Sequence, residues 1–86
     1  MKHPEKIEKY DGTLTQLAED LGNLRYDALA DFLRDLSQKI QADGKKDEAR
    51  GRTQLAGSLF NCAQVLSEGA KSIDKAWKIS EPYMQI

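Results

Sequence analysis

Asp27, Asp31 and Asp35 recur at every fourth residue and would line one face of a helix. Carboxylates paired in this way can do acid–base work. Here Arg34 and Lys39 interleave with them, so the row reads as a solvated face laced with helical ion pairs. His3 is the only histidine and sits in a polar N-terminal stretch, away from any ordered element. Imidazole-based acid–base, zinc and phosphotransfer chemistry each need a positioned ring, which this chain lacks. A carboxylate-bridged di-metal bundle would carry Glu-x-x-His, which is absent. Gly51 and Gly57 stand in a helical pattern without the lysine spacing of a phosphate-binding loop. Cys62 is the sole cysteine, so no intramolecular disulfide can form. Its place in a helical pattern suggests a small buried apolar residue in a reducing compartment. The expectation is a non-enzymatic protein with no catalytic or metal-binding residue, no cofactor and no small-molecule substrate.

The elements that would have to position any site are helical. Thr13 with Gln16 three residues on makes a capping box. Leu14, Leu17, Leu21, Leu24 and Ala28 follow at 3-4-3-4 spacing, then the stripe broadens to Leu29, Phe32, Leu33, Leu36 and Ile40. This phase runs through Gly22-Asn23, which predicts one helix of about 30 residues bent at Gly22. Asp43-Gly44-Lys45-Lys46 ends it, with Gly44 as the C-terminal glycine. A second helix repeats Ala49, Ala56, Ala63 and Ala70 every seven residues, with Leu59, Leu66 and Ile73 beside them and Trp77 closing the register. Gly57 and Gly69 lie inside this pattern, and Gly57 reads as a site of close packing. Asp47 and Glu48 would suit that helix's N-terminus, Lys75 and Lys78 its C-terminus. Pro82 should stop it. The layout is therefore a flexible N-terminal arm over 1–12, in which Ile7 and Tyr10 could reach the core, a helical hairpin or bundle domain over 13–80, and a C-terminal tail over 81–86 that ends in the apolar Tyr83-Met84-Gln85-Ile86.

Folding back at Gly44 puts Gly22 near Ser67 and leaves Leu29, Leu33, Phe60 and Val65 off the seam. The fold class expected is all-α: an antiparallel helical hairpin that dimerises into a four-helix bundle, which would cover those side chains. A monomeric bundle of three or four shorter helices is the alternative. The stripes Leu21, Leu24, Ala28 and Phe32, and Ala63, Leu66, Ala70, Ile73 and Trp77, would form the core or the interface. In a chain of 86 residues with no disulfide, association is the available staple.

Thirteen basic and 14 acidic residues leave a net charge of −1, which offers no electrostatic case for nucleic acid or an anionic membrane. Residues 13–43 are acidic and 44–54 basic, the latter reading as a solvated turn and a charged first helical turn. No secretory leader or membrane span is apparent, so a cytoplasmic location is expected. Leu14-Thr15-Gln16-Leu17-Ala18-Glu19-Asp20-Leu21-Gly22-Asn23 resembles the first helix and turn of a helix-turn-helix motif, which would make Arg25 to Ser37 a recognition helix. The pattern then departs, because Asp27, Asp31 and Asp35 would face phosphates. A secretion-type helical hairpin would carry a Trp-x-Gly turn, which is missing. The sequence thus points to a small interaction or regulatory protein that works through a helix face. A homodimer or another protein would be its partner, and a helix-turn-helix nucleic-acid regulator is the alternative.

Overall fold

A computed structural model describes residues 3–84, with side chains through 83. Gln85 and Ile86, the end of the expected tail, lie outside the described residues. The described chain is all-helical: α1 spans Leu14–Gly22, α2 Tyr26–Ala49 and α3 Thr53–Met84. Only α2 and α3 pack extensively against each other.

The start of α1 follows the sequence directly. Thr13 Oγ1 accepts from the Gln16 N–H at 3.1 Å, and the Thr13 N–H donates to Gln16 Oε1 at 2.7 Å. Its end corrects the expectation of one long helix. Gly22 is the last residue of α1, and the Asn23 N–H turns back to the carbonyls of Glu19 and Leu21. A glycine here costs about 1 kcal/mol against alanine. Asp27 then provides a fresh helix start: its carboxylate accepts the Ala28 N–H at 2.9 Å and sits in the first turn of α2, where negative charge is favoured. An unbroken apolar phase is compatible with both arrangements, because three non-helical residues can preserve a face. Gly22 is consequently not opposite Ser67.

The hairpin turn also lies elsewhere. Gly44 is buried inside α2, and the chain reverses at Arg50-Gly51-Arg52. Gly51 has φ of 80°, the only positive φ among the described residues. The Gly51 N–H donates to the Glu48 carbonyl at 3.0 Å and the Arg52 N–H to the Asp47 carbonyl at 2.9 Å. This is the paired-bond glycine cap of a helix C-terminus. Asp47 and Glu48 therefore end α2 and do not open α3. Arg52 Nη1 lies 3.4 Å from the Asp47 carboxylate. The basic stretch thus caps a helix end, and Lys46 in the last turn suits its negative pole.

Moving the turn redraws the seam. In α2 it is Ala30, Ser37 and Gly44, and in α3 Ala56, Ala63 and Ala70; all six are buried. Each set repeats every seven residues, and the pairs Ala30/Ala70, Ser37/Ala63 and Gly44/Ala56 stand at equal distances along the chain from Arg50. Small side chains on both sides let the two backbones approach closely. The Ser37 hydroxyl accordingly donates to the Ala63 carbonyl at 2.6 Å across the seam. Ala49 is exposed at the end of α2, so the apparent four-alanine stripe is drawn from two helices. As expected, α3 runs through Gly69. It also continues past Pro82, where a stop was expected. In an exposed last turn, water can satisfy the one carbonyl that proline leaves unpartnered.

Candidate docking face

The two faces of the hairpin differ in chemistry. With about 100° per residue, each helix turns one flank of its seam to either side, and in an antiparallel pair corresponding flanks share a face. On one side Arg34 Nη1 bonds Asp74 Oδ2 across the helices at 2.8 Å, and Arg34 Nη2 bonds Asp31 at 2.6 Å. The same side holds an open groove bordered by Gln38, Gln41, Lys45, Gln64, Glu68 and Lys71, with Phe60 and Ala42 also in its lining. The opposite side carries Leu29, Leu33, Leu36 and Ile40 from α2 with Leu59, Leu66 and Ile73 from α3, all half-buried. Leu55 on this side is 46% exposed. Cys62, expected to be buried, is exposed there too, one heptad after Leu55. Among the described residues no large side chain is fully buried.

The sequence-derived stripes scatter over these surfaces. Ala63 and Ala70 are consumed in the intramolecular seam and are not available to a partner. Leu66, Ile73 and Trp77 are half-buried on or beside the apolar flank. The supposed partner stripe dissolves, because Leu21 and Leu24 belong to α1 and its connector, whereas Ala28 and Phe32 are exposed on α2. Their place on the seam is taken by Ala30, Ser37 and Gly44. A seven-residue repeat of small residues was the signal for these, and the larger leucines alongside masked it. Of the side chains expected to need cover, Val65 is 58% exposed and Phe60 lies over Gly44. Gly57 has open space around it, so close packing does not explain it.

A polar latch sits where α1 joins the hairpin. Arg25 donates from Nε and Nη2 to the Asp27 carboxylate at 2.7 and 2.9 Å. The same guanidinium stacks 5.4 Å from the centre of the Trp77 ring. The Arg25 hydrogen bond holds the Asp27 carboxyl below its usual range. Lys39 does the same to Asp43, one turn on along α2. Tyr10 bonds Asp20 at 2.5 Å, which raises the phenol pKa and ties the N-terminal arm to α1 instead of to the hairpin core. Ile7 in that arm is 50% exposed.

Among the described residues no group of His, Cys, Asp and Glu could hold a metal ion. None of the described helices is long and apolar enough to cross a membrane. Compared with protein-family models, curated proteins and solved structures, the chain matches none.

Proposed function

We propose that this protein is a small non-enzymatic interaction or regulatory protein whose working surface is the apolar face of the α2–α3 hairpin. One observation carries the reading: Leu29, Leu33, Leu36 and Ile40 of α2 lie with Leu59, Leu66 and Ile73 of α3 on one face, none of them fully buried, beside Leu55 at 46% exposed. Apolar patches of this kind, rimmed by polar residues, mark protein contact sites. A cytoplasmic setting fits the lone free thiol of Cys62.

The test is affinity capture of the tagged full-length chain from its native cells. Leu55→Glu with Cys62→Arg should abolish specific protein capture, whereas Gln41→Glu with Gln64→Glu, on the polar face, should leave it unchanged. The opposite pattern would overturn the reading. Intact-mass analysis of the native protein adds a second check, since a stoichiometric metal or cofactor would argue for an enzyme.

A helix-turn-helix regulator of nucleic acid draws support from the break at Gly22–Arg25. Three features oppose it. Ala18, which would sit at the helix crossing, is exposed; α1 does not pack extensively on α2; and α2 presents Asp27, Asp31 and Asp35. This reading requires salt-dependent DNA binding that weakens in Arg25→Ala. No binding at low salt removes it.

A further inference from the structure

We propose that the occupant of the apolar face is a second copy of this chain, seated face to face so that two α2–α3 hairpins form a four-helix bundle; this rests on the reading of that face as a docking surface. Exposed area favours a second copy. The chain exposes 7183 Å². A compact monomer of 9.7 kDa exposes about 5,100 Å². The excess of roughly 2,000 Å² falls within the ~1,000–2,500 Å² per chain that an obligate homodimer buries. The arm and α1, which has no buried residue, contribute to it together with the apolar face. Shape agrees: the radius of gyration is 15.6 Å, against about 12 Å for a compact chain of this length.

Charge favours the same occupant. The centre of the face, from Leu29 to Ile40 and from Leu59 to Ile73, carries no ionised group of its own. At its turn-proximal end Asp43 is paired with Lys39 and Asp47 with Arg52. An uncharged face gives no electrostatic preference to an acidic or basic partner, and at net charge −1 two copies scarcely repel.

Light scattering coupled to gel filtration on the full chain, from low to high micromolar, should give twice the 9.7 kDa monomer mass. Cys62 should react with a maleimide at least tenfold more slowly at the high concentration than at the low one. Leu55→Glu with Cys62→Arg should yield a monomer of unchanged helical circular dichroism, since both positions are exposed in the single chain; Leu55→Gln is the milder second variant. Gln41→Glu with Gln64→Glu should remain dimeric. A monomer at every concentration overturns the proposal, as does a dimer that survives the apolar-face variants and is lost in the polar-face one. If the chain is monomeric while Leu55→Glu with Cys62→Arg still abolishes capture of a cellular protein, the second copy is wrong and the docking face stands. If those variants change neither, both fail.

Discussion

The Phe60 ring lies across the backbone of Gly44, so close that a Cβ on that glycine would stand 2.6 Å from Phe60 Cε1 and 2.8 Å from Cδ1. This contact explains why a glycine is buried inside the last third of α2. Gly44→Ala gains about 1 kcal/mol of helix propensity but must displace the ring, at about 1–3 kcal/mol. The net expectation is destabilisation by roughly 1 kcal/mol in urea melts. In a Phe60→Leu background the sign should reverse. A double-mutant cycle showing additivity would disprove the contact's role.

Two other glycines should respond in opposite directions. Gly51 holds φ of 80° at the turn. Alanine there should cost about 1–2 kcal/mol. Gly57 lies inside α3, and a Cβ added to it would meet nothing within 4 Å. Alanine there should stabilise by about 0.5–1 kcal/mol and raise the melting temperature. Equal effects at the two sites would mean that the chain does not reverse at Gly51.

Ser37 tests the seam. Its hydroxyl bonds the Ala63 carbonyl, which the α3 ladder also engages, so Ser37→Ala should cost only about 0.5–1.5 kcal/mol. Ser37→Leu must push the helices apart and should cost about 1–3 kcal/mol, with faster amide exchange along both Ala30–Gly44 and Ala56–Ala70. Tolerance of leucine would show that the close approach is absent.

Acid should weaken the fold through Asp27 and Asp43. Both carboxyls are held below their usual range, by Arg25 and Lys39 respectively. A carboxyl whose pKa is lower folded than unfolded contributes stability that is complete above its ordinary value of about 4 and is lost as pH falls through the folded value. Thermal melts followed from neutral pH downward should therefore decline in the acid range. Asp27→Asn should flatten part of that decline, and added salt should mimic it in wild type because the pairs are exposed. An Asp27→Asn profile identical to wild type would show that the latch contributes nothing.

Much of the local structure was legible along the chain. Thr13 and Gln16 are three residues apart, so their reciprocal bonds depend on no distant contact. Continuity of α3 through Gly69 was legible in the same way, from an apolar phase within one segment. The turn was not. Asp43-Gly44 and Arg50-Gly51 both carry a glycine suited to a helix end, and local chemistry ranks them almost equally. What separates them is whether Gly44 has a ring to receive, and Phe60 reaches it only once the chain has reversed at Gly51.

The sequence by itself determined an all-helical chain, the cap at Thr13 and two seven-residue repeats of small residues, because these depend on residue types at short spacing. Tertiary structure alone decided which repeat pairs with which. Closing at Arg50-Gly51-Arg52 aligns Ala30, Ser37 and Gly44 with Ala70, Ala63 and Ala56, whereas closing at Gly44 would bury a different set. That register then sends Arg34 and Asp74 to one face and Leu36, Ile40 and Leu66 to the other. The apolar face is a consequence of long-range pairing, and no local spacing could announce it.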